Sequence, residues 1–553
     1  MSEDNITFVS EELLELGPWP AFERTIARML HHAGFEDVKI VNGPHDKGAD
    51  VVASKDGELY VVQAKYRSSG NQGKKAIEEA LTAKREYGAD ICITVTNQFF
   101  SKDAKEFNDF NFKLGFKTYL WNKKNLLKMA KTMPLKSKNI RPLRDYQKEA
   151  INEIFKSLDA ESNKGLVTLA TGLGKTIIAS TFISKFLDEN PHCNVLVLAH
   201  MTELVRQLAQ ASWSQLNCET ITSVWADGER PKIFHGVVFA TWQSILKAID
   251  NDEIKSGFYD LIIVDECHHA PSNSFSKLLK KLNPSYLLGV TATPWRSDKN
   301  SLRYLFGEPL FSMSVVEGMQ KGFLSKVDYR MLTDGIDWDH ISYLSKNGHT
   351  VKNLNQNLYV PERDRGMVKE IIDEINTTEN PRVLVFCRSI RHAERLLKFF
   401  KMYDAKALVL HSELKKPERF KAISSFREGS ITVLISIEML NEGIDVPEVN
   451  IVCFARVTHS RRIFLQQLGR GLRLSDNKKI VKVLDFVADI RRIAEGIDIN
   501  QEAKRFAGEE IVPYPDGEIV KFSTDATNFF DQYLNDMSDI SNLDDSARLE
   551  FPE

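Results

Sequence analysis

Cysteine is scarce in this 553-residue sequence, and what there is lies scattered. Cys92, Cys193, Cys218, Cys267, Cys387 and Cys453 form no C-x-x-C pair. That excludes a zinc ribbon or disulfide scaffold and suits a reducing compartment. No apolar run approaches the roughly 18 residues of a membrane helix, so no span is expected. The formal net charge is only -3, so there is no global basic field. A nucleic-acid partner is neither announced nor excluded, because a charged groove fits inside a neutral total. The opening "MSEDNITFVSEELLEL" lacks the basic-then-apolar start of a secretory signal, and a cytoplasmic location is expected. What is present is ordinary globular composition, 42% hydrophobic and 27% charged. The length fits about three or four domains.

Patterning divides the chain. Residues 20–130 alternate helical and strand signals: a helix over about Pro20–Ala33, a hairpin, a helix around Lys74–Tyr87 and a strand at Ile91–Thr96. "KTMPLKSKNI" (Lys131–Ile140) is polar, basic and proline-containing, which predicts an interdomain linker. From Arg141 the strands "GLVTLA", "NVLVLAH", "GVVFAT", "DLIIVDE" and "YLLGVTAT" alternate with helix-length segments. "RVLVFCRS", "KALVLHS", "ITVLIS", "NIVCFAR" and "IVKVLDFV" repeat the rhythm. Such alternation predicts α/β architecture, two parallel sheets with helices on both faces. The expected domains are 1–130, a linker at 131–140, a first lobe at 141–310, a connection at 311–380, a second lobe at 381–495 and an acidic C-terminal appendage, a small helical tail, at 496–553.

"ATGLGKT" (Ala170–Thr176) ends the first strand of the first lobe. Gly172 and Gly174 let the backbone wrap phosphates beside Thr171, Lys175 would reach the β/γ-phosphates, and the Thr176 hydroxyl would hold Mg2+. Leu169 stands where the generic pattern has its first glycine, so the segment alone also reads as a glycine-rich turn. Asp265 and Glu266 end a buried strand, where parallel sheets put ligands. An Asp there can hold Mg2+, and the neighbouring Glu can activate water.

Residues Arg141 to about Arg492 resemble the superfamily 2 helicases. "LRDYQKEA" matches the adenine-reading motif with Arg144 and Gln147, "DECH" and "TATP" match motifs II and III, and "LISIEMLNEGIDVP" matches motif V with Gly443 and Asp445. "QQLGRGLR" matches motif VI with Gln466, Arg470 and Arg473. The resemblance implies two RecA-like lobes, ATP and Mg2+ as cofactors, and the two arginines acting on the γ-phosphoryl as lobe motion completes the site. It also implies sequence-blind sugar–phosphate contacts, for which Thr241 and Arg388 are the candidates. "VLDFV" and "TDGIDW" resemble DNA-directed members, which favours duplex DNA as the partner over RNA.

In "GADVVASKDGELYVVQAKY" (Gly48–Tyr66), Asp56-Gly57 suits a two-residue type I' turn. Symmetric pairing about it sets Lys55 opposite Glu58, Val52 opposite Val61 and Asp50 opposite Gln63, with Lys65 on the same face as Gln63. A carboxylate, an amide oxygen and a lysine can together hold Mg2+ and position hydroxide against a phosphodiester. Glu23 shares a helix face with Ile26, Ala27 and Leu30, where an acid is costly to bury without a partner. Without Glu23 and Asp50, the strand reads as an edge strand guarded by lysine.

About Trp19–Met129 resembles the Mrr-like group of PD-(D/E)xK restriction endonucleases, whose pattern is a helix Glu, then G-x-D, then Q-x-K. The resemblance implies Glu23 and Asp50 as metal ligands, Gln63 completing the site and Lys65 stabilising the transition state. It implies an ATP-dependent DNA helicase or translocase joined to a metal-dependent endonuclease in restriction or defence against foreign DNA. Protein partners in a defence or repair system are expected, and no membrane. Two other readings stand beside it. One is a DNA-repair or RNA helicase whose N-terminal domain only binds, and the other is a nucleotide-switched scaffold recruiting another effector.

Overall fold

The computed structural model describes residues 7–486 except 42–47, 138–141, 161, 271–272, 293–298, 332–362, 388, 412, 438–445, 447 and 456–479. These residues form two compact units, one reaching to Ser312 and the other beginning at Met313; residues 170–173 group with the second and 415–417 with the first.

The first unit opens with α1 (Glu11–Leu16) and α2 (Trp19–His32). Pro20 presets the backbone of the first turn of α2. Its apolar positions Phe22, Ile26, Ala27 and Leu30 are all buried, and burying one Ile or Leu stabilises the fold by roughly 1.5–3 kcal/mol. A five-stranded sheet follows in the order β1 (Glu36–Ile40), β2 (Val51–Lys55), β3 (Glu58–Lys65), β4 (Ile91–Thr96) and β5 (Thr118–Trp121). The first three strands are antiparallel and the last three parallel. Parallel strands need crossovers, and α3 (Lys75–Tyr87) and α4 (Lys102–Lys113) supply them. α5 (Lys123–Lys131) closes the domain.

Asp56 (φ 53°) and Gly57 (φ 80°) both take the left-handed backbone that a type I' turn demands. The ladder pairs Lys55 with Glu58 and Val52 with Val61, as the turn predicts. It ends at Val51–Val62. Beyond that, the Asp50 N–H donates to the Val62 carbonyl at 2.9 Å, while the Asp50 carbonyl accepts from Val41 at 2.8 Å. The backbone partner of Asp50 is therefore Val62, one position from the symmetric expectation.

The stretch expected as a linker is tied down where it is described. The Leu135 carbonyl accepts from the Cys218 N–H at 2.7 Å, and Ser137 is only 3% exposed. Residues 138–141 lie outside the described set.

The rest of the first unit starts with α6 (Asp145–Asp159) and holds a seven-stranded sheet. Its order is β12 (Pro309–Met313), β6 (Lys164–Leu169), β11 (Tyr286–Thr291), β10 (Leu261–Asp265), β7 (Val195–Ala199), β9 (Val237–Thr241) and β8 (Thr222–Trp225). Strands β6 to β11 pair in parallel, with α7 (Lys175–Glu189), α8 (Thr202–Ser212) and α9 (Trp242–Asp250) among the crossovers. The second unit carries a wholly parallel six-stranded sheet. Its order is β13 (Lys326–Met331), β18 (Ile480–Asp485), β17 (Ile451–Phe454), β14 (Val383–Phe386), β16 (Val433–Ser436) and β15 (Ala407–Leu410). These are the two RecA-like sheets that the strand rhythm predicts. The expected helical tail at 496–553 lies outside the described residues. Among the described residues no helix is long and apolar enough to cross a membrane.

Candidate active sites

Two sites take shape around the sheets of residues 7–312. At the first, β6 ends at Leu169 and the chain turns through Thr171 and Gly172 (φ 93°) to Gly174 (φ 84°), the N-cap of α7. Lys175 and Thr176 are the first two helical residues, so the helix N-terminus and its amides face whatever the loop encloses. A Cβ on Gly174 would lie 2.5 Å from Gln147 Nε2; glycine is what lets α6 bring Gln147 to the loop. Gln147 Oε1 in turn accepts from the Arg144 N–H at 3.0 Å.

Facing the loop, β10 ends at Asp265, and Glu266 follows in the left-handed region (φ 47°, ψ 49°). A residue with a side chain held there carries about 1–3 kcal/mol of strain, which clusters at functional positions. Lys175 Nζ donates to Glu266 Oε1 at 2.9 Å. His268 Nδ1 lies 3.3 Å from Glu266 Oε2 and 2.6 Å from Thr291 Oγ1, so residues of the phosphate loop and of motifs II and III form one polar chain. Burial, followed by the neighbouring Glu266 charge, pushes the Asp265 carboxyl up to about 7. Burial pushes Glu266 up as well, but Lys175 and His268 together outweigh it and hold Glu266 well below the usual carboxylate range. A carboxylate kept ionised beside a lysine can orient water against a phosphoryl group.

At the second site, Asp50 is 1% and Gln63 2% exposed. Gln63 Nε2 donates to Asp50 Oδ2 at 2.6 Å, and the Ala64 N–H donates to the same oxygen at 2.6 Å. Glu23 is wholly buried on α2, which packs on β2 and β3. Lys65 Nζ does not stand open: it pairs with Glu79 Oε2 of α3 at 2.8 Å, each side chain about a third exposed (30% and 32%). Gly48 (φ 87°) lets these parts approach, since a Cβ there would lie 2.9 Å from the Glu79 carbonyl and 3.2 Å from Gln63 Oε1.

Glu79 is the site residue that the sequence reading passed over. Its signal is the one that found Glu23: Glu79 falls three residues after Ala76 and four before Ala83, both buried.

The donor set suits one hard cation. Gln63 Oε1 is buried with no hydrogen-bond partner among the described residues, an acceptor that a metal ion would satisfy. Asp50 carries a carboxylate beside that amide, and Glu23 carries another on the helix packed against β2 and β3; both are of the type that would hold Mg2+. Among the described residues no three Asp, Glu, His or Cys side chains form a cage.

Thr241 is buried (7% exposed) and caps α9, its hydroxyl 2.8 Å from Ser244 Oγ. The structure thus gives it a cap's role. Arg388, Gly443, Asp445, Gln466, Arg470 and Arg473 lie outside the described residues.

Residues 15–130 match the restriction-endonuclease family model of the Mrr catalytic type, 140–296 the type III restriction enzyme res subunit, and 366–475 the helicase conserved C-terminal domain. The type I restriction enzyme EcoAI endonuclease subunit of Escherichia coli is 26% identical over 377 residues, covering 62% of this chain and 46% of that protein. The DNA 3'-5' translocase XPB2 of Sulfurisphaera tokodaii is 25% identical over 374 residues, covering 61% of this chain and 80% of that protein. Several curated relatives are longer, and the chain spans 51%, 59% and 64% of three of them. Among solved structures, the ATP-dependent Type ISP restriction-modification enzyme LlaBIII bound to DNA superposes with a TM-score of 0.52 at 18% identity. It covers 87% of this chain and 37% of its own, a likeness of fold.

Proposed function

We propose, for a chain that belongs to the superfamily 2 helicases and carries an N-terminal Mrr-type restriction-endonuclease domain, that it hydrolyses ATP to move on duplex DNA and cuts DNA phosphodiesters, in restriction or defence. The observation that carries this reading is the buried Asp50–Gln63 pair, with an unsatisfied amide oxygen and a lysine on the same strand. A strand with only a structural task has no need to bury that group.

At the nucleotide site Lys175 binds the β/γ-phosphates, Thr176 and Asp265 hold Mg2+, and Glu266 orients the attacking water. Arg470 and Arg473 stabilise charge on the γ-phosphoryl. At the DNA site Glu23, Asp50 and the Gln63 oxygen bind one Mg2+, which supplies Lewis acidity and a water of lowered pKa. Lys65 leaves Glu79 for the scissile phosphate and neutralises charge as it builds. A second reading, a nuclease-like domain that only binds DNA, draws on the Lys65–Glu79 pair, which occupies the ammonium.

The test is a panel of plasmid, linear, single-stranded and modified DNA with Mg2+, with and without ATP. Wild type should cut, Asp50→Ala should not cut yet keep its ATPase, and Lys175→Ala should lose ATPase. Cutting undiminished in Asp50→Ala would sink the nuclease assignment. No cutting by wild type on any substrate, with DNA-stimulated ATPase intact, would favour the binding-only reading.

A further inference from the structure

Helix α2 does different work on two faces. Glu23 is wholly buried. Arg24 and Arg28, four residues apart, share the adjacent face, and both reach into the first lobe. Arg24 Nη1 donates to Glu229 Oε2 at 2.9 Å, and Nη2 pairs with the other carboxylate oxygen. This is the bidentate geometry that gives an arginine–carboxylate pair both strength and direction. Arg28 is 1% exposed. Its Nη1 donates to the Thr220 carbonyl at 2.8 Å and to Thr222 Oγ1 at 3.2 Å, and Nη2 donates to the Asn217 carbonyl at 2.8 Å. Its guanidinium also sits 4.0 Å over the Phe8 ring.

The oxygens that Arg28 reaches lie between Asn217 and Thr222, the approach to and first residue of β8, an edge strand of the lobe's sheet. The seam continues with Phe8 N–H donating to the Cys218 carbonyl at 2.8 Å. Trp213 and Cys218 join the apolar cluster of Ile26 and Leu30. A buried guanidinium needs acceptors, and those described here are the lobe's. The orientation of α2 is therefore held from the motor side as well as by the sheet of its own domain.

We propose that the first lobe is a structural part of the nuclease site: Arg24 and Arg28 are positioning residues that hold α2, and through it Glu23, in metal-binding geometry, so the site loads its cation only while the domain is docked. This rests on reading Glu23, Asp50, Gln63 and Lys65 as a metal-dependent phosphodiesterase site. Neither arginine belongs to that set. Both act through the helix, and a metal site tolerates only about 0.5 Å of misplacement.

The test uses the full chain with Arg24→Glu, Glu229→Arg and the two combined, a charge swap that spares the wholly buried Arg28. Mn2+ binding is measured by calorimetry without nucleotide, counting only binding lost in Asp50→Ala, alongside the Mn2+ dependence of nicking. Hydrogen exchange follows the α2 amides. Each single swap should weaken Asp50-dependent Mn2+ binding about 10- to 100-fold, as loss of a supporting shell does. It should also speed α2 exchange, raise the half-saturating Mn2+ for nicking and leave ATPase unchanged. The double swap should restore all three. Wild-type Mn2+ affinity in both singles would overturn the proposal, as would a folded double variant that still binds weakly. If wild type shows Asp50-dependent Mn2+ binding but cuts nothing, the nuclease reading fails while the binding shift alone decides this one. If wild type shows no Asp50-dependent binding, both fall.

Discussion

Each candidate site holds a lysine–glutamate pair of nearly the same length, and the two differ in depth. Lys175–Glu266 spans 2.9 Å with both side chains 12% exposed. Lys65–Glu79 spans 2.8 Å with both about a third exposed (30% and 32%). A buried pair is held strongly but leaves a stranded charge when either partner is lost, whereas a half-exposed pair contributes only about 0–1 kcal/mol. The motor's lysine is therefore a fixed part of a charge network that only another anion can replace. Lys65 is held loosely enough for the proposed nuclease to hand it to a substrate phosphate.

That contrast can be broken in four places. The largest effect is expected from Lys175→Ala, which should cut ATPase at least about 100- to 1,000-fold, the size seen when one key electrostatic donor is lost. It should also lower the melting temperature, because Glu266 stays buried without its ion pair; calorimetry and a phosphate-release assay read both. Lys65→Ala should reduce nicking about 100-fold with ATPase and melting temperature unchanged. A melting shift as large as that of Lys175→Ala would erase the distinction in depth. Gly48→Ala puts a Cβ 2.9 Å from the Glu79 carbonyl at φ 87°, so denaturant unfolding should show a loss of about 1–3 kcal/mol. Glu79→Gln should be mildest, within about 1 kcal/mol in stability, with nicking altered by a few-fold. A stability loss near that of Gly48→Ala would mean that the pair is structural after all.

What the sequence revealed follows physical lines. Interior strands announce themselves as continuous apolar runs, because both faces and both edges are covered. The strands that went unread, β1, β5, β8, β12 and β13, are all sheet edges. Their burial is mixed, as in Glu36–Ile40, where only Val38 is buried, and solvated positions interrupt the pattern. β15 is the edge strand whose "ALVL" was apolar enough to be read. At the nuclease site, turn chemistry and the strand period led to Asp50, Gln63 and Lys65 because those relations are local. Glu79 hid in "AIEEAL", where a second glutamate made the first look like solvent-facing charge. The docking seam was beyond reach: Arg24 and Glu229 lie 205 residues apart, and nothing in either segment names the other. Nor does the hydrophilic composition of the stretch after α5 reveal the Leu135 hydrogen bond to Cys218 or the burial of Ser137.

The Asp56-Gly57 turn has one more consequence, and it concerns parity. Asp50 and Gln63 stand equally far along the chain from the turn, on its two sides. Because strand side chains alternate faces, one residue added to either arm would send one of the pair through the sheet to the other side, while two added residues would return it. Where the ladder stays regular, even changes in length keep the pair together, and an odd one separates it without altering a single chemical group in it unless a bulge absorbs the extra residue.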